Sequence, residues 1–336
     1  MPRPTRKTKN LMLEAISFVN LIATKNPAAS ITEKHVRLFN KTAVTFNGSI
    51  ALGHPIDVDL KVCPQTTKML TALKKCGSKV LFAENSGETL ILQTDKMKVV
   101  LECVNPSAFT YIVPDPAQVG IDESFITAIK KVAGIVDERE DRIITSSVCI
   151  NGQTVEGTDT HVILQAWHGF NLPTNILLPK ASVNVLTKIN KRPVYFGASD
   201  RSITIHFEDG SWFRTQLYME KYPNVNSLLN IDCNPKPIPR DFFKAIDAVV
   251  SFSEDETVYM LDHKVSSHSF EGRGSTHNIG SQAEDELAFY GYTGQAFRAK
   301  YLKSVEKYIH SIDFTSHPNA CMIFGEGFRG LVGRIK

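Results

Sequence analysis

The order of predicted secondary-structure elements recurs three times along the sequence, and this repeat limits the fold more than any single motif does. In each copy an amphipathic helix precedes hairpin-like strands, and a second, basic helix precedes three more strands. The predicted starts are Asn10, Asp122 and Arg240 for the first helices and Pro64, Pro179 and Phe297 for the second helices. Because both series recur at about 115–118 residues, we expect three domains of one architecture.

Two proline-rich segments fall between the copies, at Pro114–Gln118 and Ile231–Pro239. They place domain boundaries at 1–116, 119–232 and 235–336. We expect an α+β fold in which each domain packs two helices on antiparallel sheet. Further runs predicted as strands are Ile31–Phe46, Ile56–Val62, Ile143–Ile150 and Glu286–Tyr292.

Composition is that of a globular protein. The hydrophobic fraction is 42% over 336 residues, and no apolar run approaches the roughly 20 residues of a membrane span. The segment Leu11–Ile22 contains Glu14, Ser17 and Asn20, so it predicts an amphipathic helix and not a signal peptide. The six cysteines are scattered without a CxxC pair, which indicates a reduced, cytoplasmic protein.

The positive charge is concentrated in particular elements. The formal net charge is only +3, yet basic residues cluster on the second helix of every copy, and acidic residues lie mainly in turns and strands. The N-terminal segment adds Arg3, Arg6, Lys7 and Lys9. If each domain places its helices on one side of its sheet, one surface suits sequence-independent contact with phosphates. The alternative is that these lysines only keep the helices soluble.

Three patterns typical of enzymes lack the context that their chemistry needs. The run Gly325–Gly330 spells GxGxxG, but no helix follows it, so we expect no dinucleotide site. Asp57 and Asp59 share one face of a predicted strand without a third acidic residue. The histidines at 263, 268 and 277 lack metal-ligand spacing. We therefore predict no cofactor and no metal.

Several short motifs, together with the repeat, resemble the bacterial-type DNA sliding clamp, the beta subunit of DNA polymerase III. Thr158-Asp159-Thr160-His161 is similar to that family's Thr-Asp-Gly-His, and Tyr222-Pro223 is similar to its Phe-Pro. The remaining matches are Ile176–Lys180 at the entry to the second helix, Phe297–Tyr301 at a helix start, and the short apolar strand in Gly330–Lys336. The resemblance covers essentially the whole chain.

The sequence departs from the family pattern at informative positions. Thr160 replaces the family's glycine, Arg298 replaces its common asparagine, and Val332-Gly333-Arg334 replaces its Met-Pro-Met-type tail. The first domain is the most diverged. These differences indicate a phage or other mobile-element version of the clamp.

The resemblance implies a non-catalytic protein. Two copies would form a head-to-tail homodimeric ring of six domains around double-stranded DNA, with helices inside and sheets outside. The expected partners are a replicative DNA polymerase, a clamp loader and a second copy of the chain, in the cytoplasm or nucleoid of a bacterial host. The residues expected to face DNA are Lys68, Lys74, Lys188, Lys191, Arg192, Lys244, Lys300 and Lys303.

Clamps of this family bind partner peptides in an apolar cleft between their second and third domains. The positions implied for that pocket are Thr158, His161, Val162, Ile163, Pro223, Leu228, Tyr301, Leu331, Val332 and Ile335. Two alternatives remain open at this stage. One is a DNA-modifying enzyme such as a nuclease that uses Asp57, Asp59 and a histidine, and the other is a non-catalytic structural phage protein.

Overall fold

The computed structural model describes residues 11–24, 26, 28–76, 80–85, 88–110, 112–138, 141–253, 255–261, 264–269, 274–278 and 295–335. Within these residues the chain forms two compact units. The first unit consists of residues up to Glu123 together with Asn184–Leu217. The second consists of Ser124–Val183 together with the residues from Tyr218 onward. Each unit thus contains two separate stretches of the chain.

The described helices are α1 (Leu11–Val19), α2 (Ile31–Lys34), α3 (Thr66–Cys76), α4 (Glu123–Ala133), α5 (Lys180–Leu186), α6 (Asn226–Leu229), α7 (Phe242–Val250) and α8 (Ala299–Val305). The six helices that the repeat predicts are confirmed, and the short helices α2 and α6 are additions. The predicted helices each bury one apolar face. In α4, for example, Phe125, Ile129 and Val132 recur at helical spacing and are fully buried.

The strands of the first half are β1 (Arg37–Phe39), β2 (Thr42–Phe46), β3 (Ile50–Pro55), β4 (Cys63–Pro64), β5 (Leu81–Asn85), β6 (Thr89–Gln93), β7 (Lys98–Val104), β8 (Val119–Gly120), β9 (Ser147–Asn151), β10 (Thr154–Thr158) and β11 (Val162–Trp167). Those of the second half are β12 (Ile176–Pro179), β13 (Pro193–Ala198), β14 (Ser202–Phe207), β15 (Trp212–Gln216), β16 (Lys236–Pro237), β17 (Thr257–Leu261), β18 (Lys264–Ser266), β19 (Thr276–Asn278), β20 (Gln295–Arg298), β21 (Ser311–Asp313), β22 (Ala320–Gly325) and β23 (Phe328–Gly333). Every pairing among them is antiparallel, which agrees with the predicted α+β class.

The first unit contains a seven-stranded sheet in the order β1-β2-β3-β15-β14-β13-β8 and a four-stranded sheet in the order β4-β7-β6-β5. The pairing of β3 with β15 joins strands that are far apart in sequence, with Trp212 opposite Gly53. A Cβ atom on Gly53 would lie 2.1 Å from the Trp212 ring, so only glycine leaves room for the indole. This close contact fixes how the two strands meet.

The predicted linker Pro114–Gln118 packs closely against β13 and β14. Asp115 is only 7% exposed. Its carboxylate accepts hydrogen bonds from the hydroxyls of Ser202 and Thr204 and pairs with the Arg214 guanidinium at 3.3 Å. A buried carboxylate is tolerated when it is paired and hydrogen-bonded in this way. This segment is therefore an ordered part of the first unit.

The second unit contains an eight-stranded sheet in the order β12-β9-β10-β11-β23-β22-β21-β16. A second sheet of four strands has the order β19-β18-β17-β20. At the centre of the larger sheet, β11 pairs with β23, so that Val162 lies opposite Val332 and Ile163 lies opposite Leu331. Side chains alternate between the faces of a strand, so these two pairs point to opposite faces of the sheet.

Several strand predictions are corrected by the structure. The start of Ile31–Phe46 is the helix α2, because the Ser30 hydroxyl caps it by accepting from the Glu33 amide and also donates to the Glu33 carboxylate. The run Ile56–Val62 is a loop that joins the strands only through a bridge from Val62 to Leu38. The run Ile143–Ile150 begins with a turn, and its strand starts at Ser147. The predicted strand Glu286–Tyr292 lies outside the described residues.

The last predicted helix, Phe297–Ile309, is shorter than expected. Phe297 and Arg298 belong to β20, which pairs with β17, so the helix begins only at Ala299. It ends at Val305, and a 3-10 turn follows at Glu306–Tyr308. Pairing between distant strands thus overrides the local preference for helix.

No helix in the described part of the chain combines the length and apolar character that crossing a membrane requires. All six cysteines carry free thiols. Burial raises the pKa of the Cys63 thiol to about 12, and it raises the pKa values of Cys149 and Cys321 as well. These thiols are therefore protonated at neutral pH.

Candidate partner-binding site and basic residues

The turn between β10 and β11 is built by its own side chains. The carboxylate of Asp159 accepts hydrogen bonds from the backbone amides of His161 and Val162, at 3.0 and 2.8 Å. The Thr158 hydroxyl donates to the carbonyl oxygen of Val162 and accepts from the amide of Thr160. Thr160 itself has φ +78°, a conformation that a β-branched residue rarely adopts. The turn is therefore well defined but strained.

The turn brings His161 against α8. The His161 imidazole stacks on the Tyr301 ring, with ring centroids 5.8 Å apart and planes inclined by 18°. Nδ1 of His161 lies 3.2 Å from the Thr160 hydroxyl, and the Lys300 ammonium lies 4.8 Å from the Tyr301 ring centroid. Two predicted pocket residues, His161 and Tyr301, are thus in contact. Lys300, predicted to face DNA, lies beside them.

These residues border a cavity of about 580 Å³ within the second unit. The cavity is lined by Gly134, Ile135, Val136, Asp137, Arg142, Asp159, Thr160, His161, Lys300, Tyr301 and Ser304. The mixture of aromatic, cationic and anionic side chains can receive a short peptide through stacking and charged hydrogen bonds. Asp137, Arg142 and Ser304 were not predicted, because no sequence pattern connects them with His161.

Further predicted pocket residues form an apolar cluster close by. Ile163 and Leu331 lie opposite each other in β11 and β23 and pack with Tyr222, Val225 and Leu229. All five are less than 10% exposed. The cluster therefore has the character of core, and α6 covers it.

The outer side of α6 is more accessible. Leu228 is 46% exposed, and Pro223 is exposed just before the helix. Val162 and Val332, by contrast, are fully buried on the other face of the sheet. Ile335 is half-buried, and its amide donates to the carbonyl oxygen of Ala296. The predicted pocket residues thus divide into accessible side chains and core positions.

A polar network that the sequence did not predict holds α6 on the sheet. Nε of Arg329 donates to the amide oxygen of Gln165 at 2.8 Å, and its two Nη atoms donate to the side chain of Asn226 and the carbonyl oxygen of Leu229. The same guanidinium lies 5.1 Å from the Trp167 ring centroid. Its planar group of donors suits several acceptors at once. No local signal could have linked residues so far apart.

The predicted DNA-facing residues also divide into two groups. Lys68, Lys74 and Lys188 are exposed. Three further lysines form ion pairs with carboxylates: Lys244 with Asp241, Lys303 with Asp247 and Lys191 with Asp209. Arg192 is exposed and lies 3.4 Å from Glu208. The N-terminal residues Arg3, Arg6, Lys7 and Lys9 lie outside the described residues.

Lys191 differs most from its predicted role. Its side chain is only 16% exposed, and its ammonium lies 4.7 Å from the Phe18 ring centroid. Burial opposes ionisation of Asp209, but hydrogen bonds from Lys191 and Ser211 outweigh it and lower the pKa of that carboxyl to about 2. Lys191 and Asp209 therefore form a charged pair at neutral pH.

Two of the three patterns set aside as enzyme signatures lie in structural positions, and His263 of the third lies outside the described residues. The GxGxxG run forms the end of β22, a turn and the start of β23. Asp57 and Asp59 lie in the loop after β3, and neither belongs to a group of potential metal ligands among the described residues.

Comparison with solved structures identifies the fold. The beta chain of DNA polymerase III from Streptococcus pneumoniae has a TM-score of 0.77 and 16% identity, with 97% of this chain and 98% of that chain covered. The Helicobacter pylori beta clamp bound to DNA ligase peptide has a TM-score of 0.74 and 16% identity, with 98% of both chains covered. The DNA polymerase III subunit beta of Pseudomonas aeruginosa has a TM-score of 0.78 and 10% identity, with 97% of this chain and 98% of that chain covered.

The chain has the fold of a beta sliding clamp. The resemblance inferred from the repeat and the motifs is thus confirmed for the fold, over nearly the whole length of the chain. No protein-family model matches the sequence, and neither does any curated protein. Identities of 10–16% explain why the likeness is clear in the fold and faint in the residues.

Proposed function

We propose that this protein is a DNA sliding clamp, a processivity factor that encircles duplex DNA and tethers a replicative polymerase. The observation that carries the proposal is the agreement in fold with beta clamps over 97% of the chain. A ring that encloses DNA needs no base-specific contacts, so it can hold the duplex loosely and slide. It makes and breaks no bond, so the protein is not an enzyme.

We propose three domains per chain, at 1–116, 119–232 and 235–336, and a homodimeric ring of six domains. Each of the three segments contains two of the predicted helices, α1 and α3, α4 and α5, and α7 and α8. Among the described strands, β5 and β19 each lie at the edge of a four-stranded sheet. Unpaired edges of this kind invite pairing with another chain. A head-to-tail dimer would use one edge from each copy.

Contact with DNA is assigned to exposed basic side chains, above all Lys68, Lys74 and Lys188. Arg192 and Lys244 are further candidates, since their ion pairs are exposed and weak. Lys303 is 35% exposed beside Asp247. Charges of this kind hold phosphates without reading sequence.

The partner peptide is assigned to the cavity beside His161 and Tyr301 together with the exposed side chains of Pro223 and Leu228. The stacked rings supply an aromatic wall, and Leu228 supplies an accessible apolar anchor. The partners on this proposal are a replicative polymerase and a clamp loader, in the cytoplasm or nucleoid of a bacterial host. The phage origin stays a prediction.

Retention on circular DNA tests the proposal. The protein is loaded onto nicked circular DNA with a clamp loader, and bound protein is separated from free protein by gel filtration. Linearising the DNA should release the protein, and blocking both ends with bound streptavidin should restore retention. If the protein stays on linear DNA with open ends, it is a groove binder and not a clamp. A solution mass other than that of two chains would contradict the dimer.

A further inference from the structure

A buried histidine in the first unit has a ring nitrogen that makes no hydrogen bond within the described part of the chain. His54, in β3, is only 1% exposed. Its Nδ1 lies 2.7 Å from the carbonyl oxygen of Pro55 and donates a hydrogen bond to it, so Nε2 carries the lone pair. Nε2 is buried, and it has no hydrogen-bond partner among the described residues. A buried acceptor that makes no hydrogen bond is unfavourable.

Two carboxylates face this nitrogen. Oδ2 of Asp209, in the turn after β14, lies 3.5 Å from Nε2 of His54. Glu14 approaches from α1, and one potential ligand atom from each of the three residues lies within 4.8 Å of the others. The set consists of one imidazole nitrogen and two carboxylate oxygens from three separate elements. Such a combination is typical of sites for divalent transition metals.

The hydrogen bonds around the three residues suit a metal. The proton of the His54 imidazole lies on Nδ1, which donates to the Pro55 carbonyl oxygen, so the lone pair on Nε2 points toward the carboxylates. The Asp209 carboxylate accepts hydrogen bonds from Lys191 and from the amide and hydroxyl of Ser211. The hydrogen bond from Nδ1 to a backbone carbonyl is the contact that usually orients a metal-binding histidine. His54 is therefore preorganised as a ligand through Nε2.

A lysine ammonium takes the place of the cation. Lys191 donates a hydrogen bond to Asp209, and its Nζ lies 4.0 Å from the Glu14 carboxylate. This single positive charge balances one of the two carboxylates, and among the described residues Nε2 of His54 still has no hydrogen-bond partner. The ammonium thus satisfies two of the three groups, whereas a metal ion could satisfy all three.

We propose that Glu14, His54 and Asp209 form a site for zinc or a similar divalent transition metal, which binds in exchange for the Lys191 ammonium. Tetrahedral zinc with bonds of about 2.1 Å places its ligands about 3.4 Å apart. The 3.5 Å between Nε2 of His54 and Oδ2 of Asp209 already lies within about 0.1 Å of this separation. Glu14 must move closer by up to about 1.4 Å, and its side chain is 30% exposed and able to do so. Mg²⁺ is a poor fit, because it prefers six oxygen ligands.

Zinc binding to the full-length protein tests the site. Chelator-treated protein is titrated with Zn²⁺ near neutral pH in competition with a chromophoric chelator. We expect one zinc ion per chain and at least a tenfold gain in affinity in Lys191→Met, because the competing ammonium is gone. Adding Glu14→Gln to Lys191→Met should reverse that gain by tenfold or more. His310→Ala, which removes an exposed histidine, should leave the affinity unchanged, and millimolar Mg²⁺ should not compete.

Cobalt provides a second readout. Co²⁺ bound to the Lys191→Met protein should show the visible absorption bands of a site with nitrogen and oxygen ligands, and Glu14→Gln should remove them. The site is refuted if Lys191→Met binds zinc no more tightly than the unaltered protein, or if Glu14→Gln retains the tight site. Thermal melting followed by circular dichroism checks the fold, and Lys191→Gln replaces Lys191→Met if the latter unfolds. None of these outcomes depends on clamp function.

Discussion

The imidazole of His161 stacks on the Tyr301 ring, with centroids 5.8 Å apart and planes 18° from parallel. One ring comes from a strained turn and the other from the first turn of α8. Contact between these two elements shapes the wall of the cavity assigned to the partner peptide. This contact can be removed without touching the core.

Tyr301→Ala should weaken binding of the host replicative polymerase by about 2 kcal/mol, or roughly thirtyfold in Kd, as expected for an aromatic hot spot. The dimer should persist, because the side chain lines a cavity. Surface plasmon resonance measures the affinity, and light scattering measures the mass. Tyr195→Ala, at a tyrosine that is 51% exposed in β13, is the matched control and should change neither. Parallel loss of the dimer in Tyr301→Ala would make Tyr301 a structural residue.

Thr160→Gly should raise the free energy of unfolding by about 0.5–1 kcal/mol. A left-handed backbone costs a residue with a Cβ atom about 1–2 kcal/mol, and the greater flexibility of glycine in the unfolded chain offsets part of the gain. Urea unfolding measures the difference. The control is Thr174→Gly, at an exposed loop threonine whose φ is not positive. This change should not stabilise the protein. A destabilised Thr160→Gly would mean that the hydrogen bond to His161 outweighs the strain.

His168 should make the second unit sensitive to acid. Burial lowers the pKa of His168 to about 4, against about 6.5 in the unfolded chain. Between these values the unfolded chain binds more protons, so stability falls as pH falls from about 6.5 to 4, by up to about 3 kcal/mol. His168→Asn keeps an acceptor for the Phe170 amide and should flatten this dependence in urea titrations at several pH values. The control His310→Asn, at an exposed histidine, should leave the pH dependence of stability unchanged. An unchanged pH dependence in His168→Asn would show that another group is responsible.

Gly53→Ala should destabilise the first unit by about 1–3 kcal/mol, because its Cβ would collide with the Trp212 ring and force the two strands apart. Chemical unfolding followed by tryptophan fluorescence measures the loss. Gly120→Ala is the control, since its nearest neighbour would lie 4.0 Å away. Equal stability of both variants would show that Trp212 can move aside at little cost.

Lys188 and Lys191 are close in the sequence but should contribute differently to DNA binding. Lys188 is exposed, whereas Lys191 is 16% exposed and paired with Asp209. Lys188→Ala should lower the slope of log K against log salt by up to about two units, one for each chain of the proposed ring, and Lys191→Ala should leave the slope nearly unchanged. Fluorescence anisotropy over a range of salt concentrations measures both slopes. A larger loss in Lys191→Ala would show that its ion pair opens on DNA.

Local patterns predicted the helices well. The apolar positions of α4 and α7 recur at helical spacing within a few residues, so one stretch of sequence carries all the information. The N-cap at Ser30 was also local, but the apolar run around it favoured a strand. Helix boundaries were less predictable, since the pairing of β20 with β17 decides where α8 begins.

Contacts between distant segments could not be predicted from local patterns. Nothing near Lys191 in sequence shows that Asp209 and Glu14 surround its ammonium, and so the lysine resembled an ordinary surface cation. The partners of Arg329 are likewise up to 164 positions away. The motif resemblance did name both His161 and Tyr301, because it carried information about the fold that spacing alone does not hold.

The pairing of β11 with β23 has a consequence for synthesis on the ribosome. Gln165 and Arg329, which face each other in these strands, are 164 positions apart. At about 5–20 residues per second, β11 emerges on the order of 10 s before its neighbour exists. During that interval its edge is open to any other nascent strand. We therefore expect slow or crowded translation of the second half of the chain to favour aggregation, and chaperones that shelter exposed strands to raise the yield.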